Sequence, residues 1–298
     1  MTARWIGWLC CGLGMASAGS VVVASKLAGV GLPIFVAAAL RYGLAAMVLV
    51  PWALKRRERL WPDGGDRLLL VAQAAAGSLG FSVLMLTGLR HTGGTDAAVI
   101  AGTLPALVGL LSLALPGAGL GRRGWGGVLL AGLGTASLGL GAGTAGAQHG
   151  GGRWLGDLLL LGAMAGEAVF VLLNKAMRAP MPPVAVSAVM CLLGLLATLP
   201  FAMGEAAGLD LSAVPWSAWA AVLWHALVPT ILGFVLWYAG SARLGGAEAA
   251  VSTALMPVSA ALLSVLVLGE SPGLHHLLGI ALVLAAMVLP LTAPESPR

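Results

Sequence analysis

The sequence predicts an all-α membrane protein of ten transmembrane helices, arranged as two inverted five-helix repeats. Three observations predict it. The first is composition: of 298 residues, 59% are hydrophobic and 9% charged, and the mean hydropathy is +0.97. No soluble core of this length buries so much apolar sequence. Most of the chain falls into apolar runs near the ~20 residues that cross a bilayer. The second is self-similarity. Gly93–Leu130 recurs as Gly245–Leu282, with identical pairs at Gly93/Gly245, Ala97/Ala249, Val99/Val251, Pro105/Pro257, Leu110/Leu262, Ser112/Ser264 and Gly127/Gly279. Asp96/Glu248 keeps its charge, and a neighbouring register pairs Gly7/Gly156, Lys26/Lys175, Pro33/Pro182 and Pro51/Pro200. A tandem duplication accounts for this. The third is the distribution of Lys and Arg, which follows from the spans themselves.

The first span covers Trp5–Leu27. MASAG at Met15–Gly19 has the look of a signal-peptide cleavage site, but the apolar run continues past it and Lys26 has a twin in Lys175. The segment therefore reads as a retained helix. The second span, Pro33–Leu54, opens on a proline, whose missing donor costs nothing at a helix start. A basic loop, KRRERLWPDGGDR, leads to the third span, Leu68–Leu89. A tight turn at Thr92-Gly93-Gly94 precedes the fourth, Thr95–Leu115, and the fifth is Gly124–Leu140. The Gly-rich link GAGTAGAQHGGG follows no strand, so it reads as a flexible linker rather than a phosphate loop. The later spans are Leu155–Met177, Val184–Met203, Trp216–Ala239, Ala247–Leu268 and His275–Leu291. The domains are then a first repeat over 1–142, a linker over 143–154 and a second repeat over 155–298.

Ten spans put both termini on one side. Placing them in the cytoplasm of a bacterial-type inner membrane puts twelve of the 16 Lys and Arg residues there. Three (Lys26, Arg90 and Arg153) lie on the other side, and Arg41 lies inside a span. This is the positive-inside pattern. Five spans per repeat is an odd number, so the second repeat inserts upside down. Such inverted repeats build secondary transporters, with the binding site near the midplane between the halves.

Several function classes are disfavoured. Net charge is +5, but the basic residues sit in loops between apolar runs, so no nucleic-acid partner is expected. Cys10, Cys11 and Cys191 lie within apolar runs and read as small packing residues. His275 and His276 are adjacent, about 100° apart on a helix, and make a poor metal clamp. No metal and no cofactor is expected. A membrane-embedded enzyme or a non-transporting receptor is the alternative class, but HExxH and Walker A motifs are absent from the sequence.

The stretches GSVVVASK, ALRYGLAAMVLV, GGTDAAVIAGTLPALVGLLSLAL and GGAEAAVSTALMPVSAALLSVLVLGE, the last followed by LLGIALVLAAMVL, together resemble the drug/metabolite transporter superfamily. The likeness is to its ten-helix members with paired EamA-type domains, and it covers nearly the whole chain. The resemblance implies a transporter, often an exporter, of small molecules.

Few polar residues lie at membrane depth. Arg41 is about eight residues into the second span, roughly 12 Å down. It is either a contact for a substrate carboxylate or a structural Arg bonded to neighbours. Glu167 lies about twelve residues into the sixth span. It is the candidate for exchanging a proton against substrate or for holding an ammonium group. The structural alternative is a fixed ion pair, with Arg41 a candidate partner. His225 and Tyr42 are further candidate contacts. Asp96 and Glu248 sit in first turns, where the helix dipole favours a carboxylate; Lys26 and Lys175 sit near span ends and snorkel.

Pro105 and Pro257 lie mid-span and free the carbonyls of Ala101 and Thr253. Together with Thr103, Thr253 and Phe170 they are expected to shape a central cavity. The expected function is secondary transport of a small metabolite by alternating access, with the proton as candidate coupling ion. A zwitterion such as an amino acid would use both Glu167 and Arg41, and organic-cation efflux is the alternative.

Overall fold

The structure is a computed structural model. It describes residues 3–62, 64–89, 91, 100, 103–112, 122–139, 153–178, 181–268, 274, 277–279, 281–282 and 285–286. Its described elements are helical: α1 (Ala3–Ala28), α2 (Ile34–Lys55), α3 (Asp66–Ala74, Ala75–Gly80 and Phe81–Leu89), α4 (Leu104–Ser112), α5 (Arg122–Gly139), α6 (Arg153–Ala176), α7 (Pro183–Ala206), α8 (Trp216–His225, Ala226–Leu232 and Gly233–Ser241) and α9 (Gly246–Ser252 and Leu255–Leu268). Of the tenth span, residues 277–279, 281, 282, 285 and 286 are described, and they are helical. The expected Thr92-Gly93-Gly94 turn, the Gly-rich linker and the His275-His276 pair lie outside the described residues.

Five stretches are long and apolar enough to cross a membrane: Ile34–Lys55, Asp66–Met85, Trp154–Ala176, Pro183–Ala206 and Trp216–Ser241. Their surfaces carry large apolar side chains, including Met47, Leu68, Leu196 and Leu227, as a lipid-facing bundle requires. Both proline-led helices begin as expected: Pro33 precedes α2, and Pro182 and Pro183 open α7.

The two repeats interlock. α1 packs on α8 and α9, α6 packs on α3 and α4, and α2 packs along α7. Small residues set the first two contacts. A Cβ on Gly240 of α8 would stand 2.8 Å from the Gly7 carbonyl of α1; one on Gly88 of α3 would stand 3.0 Å from the Gly156 carbonyl of α6. Gly7 and Gly156 are twins in the duplicated sequence, so the same close crossing is made twice, each time between opposite halves. Small residues let helix backbones approach where lipid supplies no hydrophobic drive. The α2–α7 contact is aromatic at one end, where Phe35 stacks on Phe201 with centroids 4.9 Å apart.

Two features depart from the expected continuous spans. α3 and α8 each contain a π-helical stretch, Ala75–Gly80 and Ala226–Leu232, at matching places in the two repeats. Pro229 lies inside the second, where a missing N–H favours the wider turn. α9 is broken at Thr253-Ala254, and Pro257 is the third residue of the segment that follows; Pro105 is the second residue of α4 as described. Where α9 breaks, the Thr253 carbonyl is taken up by the N–H of Met256 at 3.1 Å. The carbonyl that Pro257 frees thus has its new partner in a tighter turn.

Polar side chains tie the ends of the bundle. Glu248, in the first turn of α9, accepts from Arg4 Nε at 2.7 Å, from Trp8 Nε1 at 3.2 Å and from the Gly245 N–H at 2.9 Å. It closes a capping box and also pins α1 to α9. Lys175, the twin of Lys26, caps α8: its ammonium donates to the Ser241 carbonyl and to the Leu244 carbonyl at 2.6 Å. It is thus a C-terminal cap rather than a snorkelling side chain. Where α7 ends, Glu205 accepts from the N–H groups of Phe35 and Val36 at 2.8 and 3.2 Å and caps the start of α2.

Candidate functional site

Glu167 sits past the middle of α6 and is half-buried. It has no hydrogen-bond or ion-pair partner among the described residues. The helix turn that carries it is held against the π-helical stretch of α3. A Cβ on Gly166 would lie 2.9 Å from the Ala76 carbonyl, and one on Gly77 would lie 2.6 Å from Cγ of Phe170. Only glycine at these two places lets α3 and α6 close to backbone contact. Below this crossing, fully buried Gln73 donates from Nε2 to the Phe170 carbonyl at 3.1 Å, and its Oε1 has no partner.

Across from α6, α8 supplies Tyr238. Its ring stands 6.2 Å from those of both Phe170 and Phe234, which are themselves 6.3 Å apart. The Tyr238 hydroxyl is buried and makes no hydrogen bond. No hydrogen bond joins it to Glu167. A cavity of about 170 Å³ opens beside it; its polar lining is Asn174, Lys175, Tyr238 and Ser241, and its apolar lining includes Met177, Met181 and Val186. Tyr238 lines this cavity and also packs on Phe170, one turn beyond Glu167 on α6.

Arg41 belongs to a second cluster. Its Nη1 lies 2.7 Å from His225 Nε2, its Nη2 donates to the Tyr42 hydroxyl at 2.8 Å, and its guanidinium lies 4.3 Å from the Tyr42 ring centroid. A guanidinium only donates, so Nε2 of His225 must accept, which places the ring proton on Nδ1. Arg41 Nε is buried without a partner. Arg41 makes no ion pair with Glu167. The candidate pairing of these two residues is therefore corrected. α2 turns Arg41 toward α8, where an imidazole nitrogen and a phenol oxygen answer it.

The structure thus brings Arg41, Tyr42 and His225 together, and sets Glu167 near Phe170 but apart from that cluster. Thr103 turns back on its own helix, its Oγ1 donating to the Ile100 carbonyl at 2.6 Å. Pro105 and Pro257 mark the starts of helical segments. Sequence reasoning missed Tyr238 and Gln73. Tyr238 is one of two tyrosines in the chain, a rarity that marks it only in hindsight. Gln73 is an uncharged polar residue in a span and carries the weaker signal.

A family model described as the EamA-like transporter family matches the chain twice, over residues 5–140 and 154–292. The chain belongs to the EamA-like transporter family. One curated relative, an "Uncharacterized transporter YetK" of Bacillus subtilis, is 34% identical over 287 residues, covering 95% of this chain and 86% of that protein. A solved structure described only as "Crystal structure of protein" superposes with a TM-score of 0.78 at 21% identity, covering 97% of this chain and 96% of the other; that likeness concerns the fold. This EamA-family chain is therefore a multi-pass membrane transporter built of two repeats.

Proposed function

We propose that the protein exports a small metabolite bearing an ammonium group, an amino acid or similar zwitterion, in exchange for protons at Glu167. In this reading the termini lie in the cytoplasm of a bacterial inner membrane, which the twelve-to-three distribution of basic residues supports. The observation that carries the reading is Glu167 itself: a carboxyl group deep in an apolar helix, with no partner among the described residues. A structural acid at such depth is held by a cation or by donors. An acid left without either is free to hold a proton and a substrate ammonium in turn, which is what one-site exchange needs.

Arg41, Tyr42 and His225 then take the carboxylate end of the zwitterion at a separate point, through the guanidinium edge that has no partner at Nε. A second reading, efflux of an organic cation without a carboxylate, is favoured by the engagement of Arg41 with His225 and Tyr42. Pro105, Pro257, Thr103, Thr253 and Phe170 shape the path, the prolines by interrupting α4 and α9. The chain acts as a transporter and not as an enzyme.

Proteoliposomes containing the purified protein test this reading with a panel of amino acids and of amines lacking a carboxylate. A tenfold proton gradient, worth about 1.4 kcal/mol, supports up to about tenfold accumulation for one proton exchanged. Glu167→Gln should abolish that accumulation while leaving a folded protein. Wild-type accumulation by a well-folded Glu167→Gln protein would overturn the reading.

A further inference from the structure

Five of the 16 basic residues fall within 55–67, where α2 gives way to α3: Lys55, Arg56, Arg57, Arg59 and Arg67. All five are exposed. Of the three acids in the same segment, Glu58 and Asp66 are turned inward. The Glu58 side chain is 13% exposed, and buried Asp66 accepts from the backbone N–H of Arg178 at 3.1 Å. That bond sets exposed Arg178, just past the end of α6, beside the start of α3. The twin connection in the second repeat, from Phe201 to Pro215, carries Glu205 and Asp210 and no Lys or Arg. The basic surface therefore belongs to one connection and is not a general property of the repeat.

The bend that opens the segment uses arginine where glycine is easier. Arg57 has a φ of 55° and is the one non-glycine with positive φ among the described residues. Its N–H donates to the Leu54 carbonyl at 3.0 Å, and that of Glu58 donates to the Ala53 carbonyl at 3.1 Å, which closes α2 in a Schellman motif. Glycine is the usual residue at that left-handed position, because a Cβ there crowds the backbone. Arginine costs the fold stability, an outlier that points to a use for its charge.

The cations also continue a lipid-facing surface. Val48, Trp52 and Arg56 follow one another at i, i+4 spacing and form one exposed row, with the Arg56 guanidinium 5.4 Å from the Trp52 ring centroid. α2 is long and apolar enough to span a bilayer, so its end at Lys55 lies at the level of the lipid headgroups. The row then runs aliphatic, indole, guanidinium, the order in which a lipid presents acyl chain, interface and phosphate. Trp61 and Leu68 are exposed among the remaining cations. A soluble phosphate has a use for the cations but none for the apolar side chains between them.

We infer that this segment is a binding surface for an anionic phospholipid. Arg56 and Arg57 hold the phosphate, and the acyl chains lie along α2 past Trp52 and Val48. The surface is separate from the exchange at Glu167 and does not depend on it.

Native mass spectrometry of the full-length protein in detergent tests this, with dioleoylphosphatidylglycerol and dioleoylphosphatidylcholine as probes of identical acyl chains. One cation near a lipid surface contributes about fivefold in affinity, so Arg56→Gln combined with Arg57→Gly should weaken the first phosphatidylglycerol by about 25-fold. The wild type should prefer that lipid by at least as much, and phosphatidylcholine should change less than twofold in the variant. Arg243→Gln removes an exposed cation elsewhere and should shift neither lipid by more than twofold. Arg57→Gly relieves the left-handed backbone, so its melting temperature in lipid-free detergent should equal or exceed wild type. Equal affinity for the two lipids, an undiminished preference in the double variant, or an equal loss in Arg243→Gln overturns the inference. Glycerol phosphate binding as tightly as the lipid also overturns it, since the partner is then a free phosphate. A melting temperature of Arg57→Gly below wild type does the same, since the arginine is then structural.

Discussion

Replacing Gly240 with alanine places one methyl group where the α1 and α8 backbones meet. The added Cβ would stand 2.6 Å from Cys11 N, 2.7 Å from Cys11 Sγ and 2.8 Å from the Gly7 carbonyl. Ordinary contact needs about 3.5 Å, so α1 must retreat by roughly 0.7–0.9 Å. Two of the three obstacles are backbone, and no rotamer change relieves them. Overpacking of this kind costs about 1–3 kcal/mol. Gly204, near the end of α7, is the control: a Cβ there meets nothing within 4 Å. Alanine at that position should gain about 0.5–1 kcal/mol from helix propensity. The two variants should therefore differ by about 2–4 kcal/mol. Thermal unfolding in detergent, followed by a thiol-reactive dye or by loss of the monodisperse elution peak, measures the order. Gly240→Ala should melt well below wild type and Gly204→Ala at or slightly above it. Gly88→Ala should fall between, since one obstacle there is the movable Leu160 side chain at 2.9 Å. If Gly240→Ala melts with wild type, α1 and α8 are not in backbone contact, and the reciprocal crossing of the repeats is wrong.

The other predictions test topology, the latch at the end of the bundle and the helix breaks. An impermeant thiol reagent added outside intact cells should label Gly151→Cys and spare Arg57→Cys in a background lacking native cysteines; the reverse pattern would refute cytoplasmic termini. Glu248→Ala removes the acceptor of three donors, one of them the Arg4 guanidinium, and should cost about 2–3 kcal/mol. An unchanged melting temperature would show that the α1–α9 latch contributes nothing. Pro105→Ala and Pro257→Ala should each slow transport in vesicles while leaving the protein inserted and monodisperse. Wild-type rates in both would mean that the interruptions of α4 and α9 have no part in the cycle.

Hydropathy made the spans legible, because in a bilayer the solvent decides which segments are helical. The sequence places the first span at Trp5–Leu27 and the seventh at Val184–Met203; the helices run Ala3–Ala28 and Pro183–Ala206. Duplication made the twin glycines visible, though not their partners. Gly7 and Gly156 announce close packing, but which helix each receives depends on how the repeats interlock. The π-helical stretches were not legible. In α8 a proline hints at one, whereas Ala75–Gly80 has no proline and widens where α3 meets Gly166 and Phe170 of α6. That is a tertiary cause and leaves no local mark. The same holds for the site. A lone acid in an apolar run identifies Glu167 by charge alone. Arg41 stands out as readily, but its partner depends on the rotation of α2 about its own axis. The candidate pairing with Glu167 failed there, because α2 faces α8 rather than α6.

The placement of both polar clusters on α8 gives its π-helical stretch a meaning. His225 is the last residue before that stretch, and Tyr238 follows it by less than two turns. A π-turn takes an extra residue, so everything beyond it is rotated relative to a continuous α-helix. Thr230 Oγ1 bonds the His225 carbonyl at 2.8 Å and holds the wide turn from within. Without it, the face of α8 that presents His225 to Arg41 would stand at a different angle to the one that packs Tyr238 on Phe170. A return of the stretch to α-helical register would swing one cluster relative to the other while leaving each end of α8 capped, by Lys175 at one end and by the Pro215 start at the other. The matching stretch in α3 faces α6 at Gly166 and Phe170, on either side of Glu167 in the sequence. The two halves thus carry equivalent π-helical stretches at matching places on α3 and α8.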